Sequence, residues 1–258
     1  MRKLKRKWWM IGLPFVLWFL LFYAIPFGHS IYYSLIESAF SPRFSGLANY
    51  TKVLENRYYQ LAFINTLKLI ALGVPCLVLI SLALALIVSR LNGRCAWVRA
   101  ALVLPLLLPS AALTPAFEKL AALNVQAPVY AIYIWKNTGF MMILLVAAMS
   151  VIPKDMYEAA ALDGAKGLRL FFHITLPQLA PALFFVSILA VVYNLRIFRE
   201  SYLLYGAYPD ESLYLMQNYM NNHFQKLNYQ NLTAGATMFA AFLYLFVWAA
   251  YRFDKRRA

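Results

Sequence analysis

Four cations lie within or at the ends of long apolar runs: Lys68, Lys136, Arg196 and Arg199. Ionisable side chains in such runs are costly and face a cavity or a partner. Glu200 follows Arg196 by four residues, the spacing of neighbours on one helix face, so an intrahelical ion pair is available. The other chemistry open to Arg196, Arg199 or Lys136 is recognition of an anionic group such as a uronate or a phosphate. Around these charges, Tyr133, Asn137 and Phe140 are spaced i, i+4, i+7 and share one helix face, while Tyr193 and Asn194 adjoin Arg196. Aromatic rings suit the apolar faces of a sugar and amides suit its hydroxyls. The same residue types also hold membrane helices together, so pocket and packing both remain open for them.

Other chemistries lack their residues. His29, His173 and His223 are dispersed without metal-ligand spacing. No G-x-x-x-x-G-K-[ST] loop is present, so the chain is not expected to bind or hydrolyse ATP itself. A membrane enzyme would need a convergent set such as a His/Asp pair, which is not found. Cys76 and Cys95 are not placed to form a structural disulfide and read as small buried or half-buried side chains. Asn49-Tyr50-Thr51 and Asn231-Leu232-Thr233 match the glycosylation pattern by chance.

The elements that must position these residues are apolar helices. Of 258 residues, 63% are hydrophobic and only 13% charged, against about 45–50% and about 25% in a soluble domain. Apolar runs long enough to span a bilayer cover about 8–28, 63–88, 97–117, 128–152, 179–198 and 233–251. The first reads as a retained helix rather than a cleaved signal, because no A-x-A site follows it. The third is the least regular, since Pro105, Pro109 and Pro115 each remove a backbone donor. The expected fold is all-α, a single polytopic membrane domain over 1–258. The 24 basic residues outnumber the 10 acidic ones. Fifteen of them fall at the N-terminus, in the second and fourth inter-helix loops and in the tail, and five in the opposite loops. That bias places both termini in the cytoplasm and accounts for the basic balance without nucleic acid.

The loop 153–177 has its own pattern. Good helix formers fill 154–162 with an acidic start, and Gly164 supplies a turn that a β-carbon resists. From physics alone this is equally an ordinary connector on the membrane surface. Its Glu158-Ala159-Ala160, Asp163-Gly164-Ala165 and Ile174-Thr175-Leu176-Pro177 resemble the EAA loop of permease subunits of binding-protein-dependent ABC importers. Ile152-Pro153-Lys154-Asp155-Met156-Tyr157 and Gly46-Leu47-Ala48-Asn49-Tyr50 are similar to the carbohydrate branch, which contains the maltose and glycerol-phosphate importers.

The resemblance implies a bacterial inner-membrane permease that passes a sugar or oligosaccharide, acidic or neutral. It implies partners: a second permease, forming a heterodimer, two ATPase subunits that hold ATP and Mg, and an extracytoplasmic binding protein. It implies that Glu158, Ala159, Ala160, Asp163 and Gly164 couple the chain to the ATPase. It makes Asn137, Phe140, Tyr193 and Asn194 pathway candidates, with Tyr133 and Arg196 beside them. Related permeases commonly have an uncharged polar residue near Arg196, so this chain departs from them there. An importer for amino acids, polyamines or phosphate esters can share the EAA loop. The outer segment 206–231 reads either as a solvated connector or as a contact for the binding protein.

Overall fold

The computed structural model describes residues 12–38, 42–90, 96–122 and 124–255. The basic stretch 2–7, the start of the first run, Arg94, Cys95, Arg256 and Arg257 lie outside them. The described residues are almost entirely helical, with one isolated bridge between Ile36 and Phe44. Among the described residues, five helices are long and apolar enough to cross a membrane, or six if one bent pair forms a single span. The chain forms two compact units, residues 1–60 with 219–246, and residues 61–218 with 247–258.

In the first unit, α1 (Gly12–Ser34) is exposed along nearly its whole length. A short bracket then leads to α2 (Ala48–Glu55). Asn49 is buried, and its amide donates to the carbonyls of Ser34 at 3.0 Å and Ile36 at 2.8 Å. Its amide nitrogen is thus occupied within the fold, so the Asn49 sequon is structural. Tyr50 and Ser34 share a 2.7 Å hydroxyl contact, which gives the Gly-Leu-Ala-Asn-Tyr element a physical purpose: it pins the chain leaving α1. The Tyr59 and Tyr219 rings pack edge-on at 5.3 Å, over Gly235, where a β-carbon would lie 3.2 Å from each.

The second unit holds most of α3 (Arg57–Ser89), then α4 (Ala96–Leu107), α5 (Ser110–Glu118), α6 (Ala127–Val151), α7 (Lys154–Leu162), α8 (Leu176–Leu195) and α9 (Phe198–Tyr205). α10 (Met216–Gln225) and α11 (Tyr229–Lys255) complete the chain. The core packs Leu77 of α3, Ile132, Met141 and Leu145 of α6, and Leu179 and Val186 of α8. Backbones of α4 and α6 come so close that a β-carbon on Gly139 would lie 1.8 Å from the Leu102 carbonyl oxygen. Small residues permit such contacts where hydrophobic burial gives helices no reason to associate.

Helix ends depart from the apolar windows in an intelligible way. α3 starts six residues early because the Asn56 side chain accepts from the amides of Tyr58 and Tyr59, an N-cap that satisfies otherwise orphaned donors. Asn228 caps α11 similarly through Asn231. The third run breaks at Leu108 and Pro109 with a bend of 94°, Pro109 being extended with ψ 136°.

Two expectations are corrected. Cys76 is exposed on α3 rather than buried, because its face turns outward from the core. The segment from 206 is no solvated connector: Leu213, Tyr214, Leu215 and Met216 are buried. Asn65 donates to the Glu211 and Tyr214 carbonyls, and Thr66 accepts from the Met216 amide, strapping that segment to α3.

Candidate functional site

α8 ends one residue before Arg196. Arg196 caps it in a tight turn, with φ −84°, ψ −10° and its amide donating to Tyr193 and Asn194. α9 begins only at Phe198. The i, i+4 relation between Arg196 and Glu200 holds on a continuous helix, and here the helix is interrupted between them. The Arg196–Glu200 pair that the spacing left available is therefore absent. Glu200 turns instead toward α5 and α6. Its Oε1 accepts from Lys136 Nζ at 2.7 Å and from Ser110 Oγ at 2.7 Å. Lys136 also reaches Ser110 at 3.3 Å. Ser110 is the first residue of α5, so the carboxylate also sits where a helix N-terminus favours negative charge.

Arg196 and Arg199 are left exposed. Among the described residues, neither guanidinium has a carboxylate within 4 Å. Arg196 lies 5.5 Å from the Tyr193 ring centroid, a cation–π contact that orients it without neutralising it.

These side chains line one open cavity of about 200 Å³, which Asn137 and Tyr193 also enter. Phe140 stands behind Tyr193, ring centroids 5.9 Å apart. Of the sequence-selected pathway residues, Asn137, Tyr193 and Arg196 are thus brought together, with Phe140 adjacent. Tyr133 and Asn194 are placed elsewhere. Tyr133 is wholly buried and donates to the Ala190 carbonyl at 2.8 Å. Asn194 is buried and donates to the Leu69 carbonyl at 3.3 Å. Both pack over Gly73 of α3, fastening α3, α6 and α8. Ser110 and the Lys136–Glu200 pair are what sequence reasoning missed. A lysine inside an apolar run was the available signal for one half.

Depth follows from helix rise. Lys136 precedes the end of α6 at Val151 by a length of about 22 Å, and Arg196 stands about 30 Å beyond the start of α8. The cavity therefore lies in the part of α6 and at the end of α8 that are remote from the loop containing α7. A second cavity of about 570 Å³, lined by Ser89, Arg99 and Ser150 among others, lies at the loop-proximal ends of α3 and α6 and contains none of the selected residues.

The loop is closed by helix-terminal hydrogen bonds. The Ala165 amide donates to the Ala160 carbonyl and the Gly164 amide to the Ala161 carbonyl, with Gly164 at φ +76°. This is a Schellman motif. Tyr157 and Thr175 hydroxyls meet at 3.3 Å, tying α7 to the π turn Phe171–Thr175 that leads into α8. Ala160 is buried, while Glu158, Ala159, Asp163 and Gly164 face outward. Leu162 is 90% exposed and Leu168 75% exposed.

Comparison with known proteins gives concordant matches. The family of binding-protein-dependent transport system inner membrane components matches residues 62–258. The trehalose/maltose transport system permease protein MalF of Thermococcus litoralis is 32% identical over 236 residues, 81% of this chain and 79% of that protein. The sn-glycerol-3-phosphate transport system permease protein UgpA of Yersinia pestis is 29% identical over 199 residues, 67% of this chain and 68% of that one. Among solved structures, a bacterial alginate ABC transporter in complex with an alginate pentasaccharide-bound periplasmic protein aligns with a TM-score of 0.83. It shares 21% identity, covering 99% of this chain and 96% of the other.

Proposed function

The chain belongs to the family of binding-protein-dependent transport system inner membrane components, and we propose that it is one permease half of an ABC importer for a sugar or oligosaccharide. It is a multi-pass inner-membrane transport subunit. A second, non-identical permease completes the pathway, two ATPase subunits bind ATP and Mg, and an extracytoplasmic protein delivers the solute. The observation that carries this reading is the Schellman-closed loop. It holds Glu158, Ala159, Asp163 and Gly164 outward beside exposed Leu162 and Leu168, a closed and outward-facing turn that a partner subunit can dock against. Small alanines let that partner approach closely, and the rigid turn passes its movement to α8 as a rigid body. Solute then passes the cavity between α6 and α8 by alternating access, with no covalent change.

The test is binding-protein-stimulated ATP hydrolysis by the complete complex in proteoliposomes. A β-carbon on Gly164 meets nothing within 4 Å, so substitution acts through backbone strain at φ +76°, about 1–2 kcal/mol for a branched residue. Gly164→Val should insert normally yet lose most of the stimulation, whereas Gly164→Asn, which tolerates this conformation, should keep much of it. Full stimulation in Gly164→Val, or failure of an ATPase to copurify with the native chain, would overturn the reading.

A further inference from the structure

Resting on the importer role just proposed, we propose that this permease selects saccharides bearing a negative charge, and that Arg196 and Arg199 are the groups that meet it. The relatives leave this open, since one is named for neutral disaccharides and another for a phosphate ester. The cavity decides it by charge balance. It is lined by three cations, Lys136, Arg196 and Arg199, and one carboxylate, Glu200. That carboxylate is committed. It is buried, and it accepts from Lys136 and Ser110 through one oxygen. Lys136 is thereby neutralised and withdrawn into the wall between α5, α6 and α9.

Two guanidinium groups remain, exposed to the cavity and without a carboxylate among the described residues. At the end of an apolar span, an ionisable side chain faces a water-filled path, a partner or a ligand, and no carboxylate partner is present among the described residues. A packing role would show itself as a pair, and the pair that exists here excludes both arginines. Guanidinium also has the right shape: its planar fork binds carboxylate, phosphate or sulfonate oxygens through two parallel hydrogen bonds, which an ammonium does not. Tyr193, under Arg196, holds that guanidinium at the cavity, and Asn137 at the same cavity stands near for a sugar hydroxyl. The site thus takes a sugar ring and its charged substituent side by side. Helix interruption at residues 196–197 makes this possible, because it turns Glu200 away from Arg196.

Uptake into proteoliposomes containing the complete importer and its own binding protein tests this, with trigalacturonate and maltotriose as the probes. The native importer should accumulate the uronate in preference to the neutral sugar. Arg196→Gln and Arg199→Gln should each lower uronate uptake at subsaturating concentration about tenfold, the loss expected for one charge-assisted contact. Arg196→Lys should recover part of it, and binding-protein-stimulated ATP hydrolysis should persist in every variant. Preferential uptake of maltotriose by the native importer would overturn the proposal while leaving the importer role standing. So would equal losses for both sugars, or a loss of assembled complex in Arg196→Gln, which would mark a contact with a partner subunit. Absence of ATP-dependent uptake of either sugar, together with absence of ATPase stimulation, would remove the importer role and this proposal with it.

Discussion

Replacing Glu200 with glutamine preserves the side chain's shape but removes the charge that Lys136 faces. The native carboxylate meets that ammonium at 2.7 Å, with side-chain exposures of 15% for Lys136 and 6% for Glu200. Glutamine leaves a cation opposite an amide in a largely dry wall. Stripping one partner from a buried pair costs about 3–5 kcal/mol, because the surviving charge is uncompensated. Lys136 retains some exposure, so we expect the lower end, about 3 kcal/mol. For a chain of this size each kcal/mol moves a melting midpoint by about 2–4 °C, giving a loss of roughly 6–12 °C. The assay is thermal unfolding of the detergent-purified complex, followed by loss of the monodisperse peak. Lys136→Met combined with Glu200→Leu removes both charges and should regain most of the loss, since apolar replacement of a whole buried pair is often neutral. Arg196→Gln should move the midpoint little, because Arg196 takes no part in the pair. An unchanged midpoint in Glu200→Gln, or a double variant no more stable than the single, would refute the reasoning.

Two further outcomes follow from the packing. Gly139→Ala forces a β-carbon to 1.8 Å from the Leu102 oxygen, so α4 and α6 must separate. Yield of folded complex should fall sharply, while Gly28→Ala, with nothing within 4 Å, should be silent in the same expression assay. Asn49→Ala leaves the Ser34 and Ile36 carbonyls without their side-chain donor, a loss of about 1–3 kcal/mol, which limited proteolysis should report as faster cleavage between α1 and α2.

The helices and the loop 153–177 were legible because their signals are local. Apolar runs, the three prolines of the third run and the Glu-to-Gly spacing of the loop all act within a few residues. The helix starts at Asn56 and Asn228 were local too, but a hydropathy window ignores caps. What was not legible depends on the long range. Lys136, Ser110 and Glu200 are separated by up to 90 residues and meet only because α5, α6 and α9 converge. The choice between the two readings of Arg196 has the same origin, since the i, i+4 rule assumes an unbroken helix and nothing adjacent to Arg196 announces the break. Tyr133 and Asn137 do lie on one helix, yet Tyr133 bonds to α8 and is buried in the core, while Asn137 reaches the cavity. A shared stripe did not imply a shared role.

The broken helix also bears on the membrane itself. The two arms of the bent pair, Trp97–Leu107 and Ser110–Ala121, measure about 16 and 18 Å, and at their 94° bend the far ends are only about 24 Å apart. The hydrocarbon layer is about 30 Å thick, so this pair falls short of bridging it by several ångströms. A bent pair of this reach either enters and leaves on one side or relies on the residues flanking it to complete a crossing.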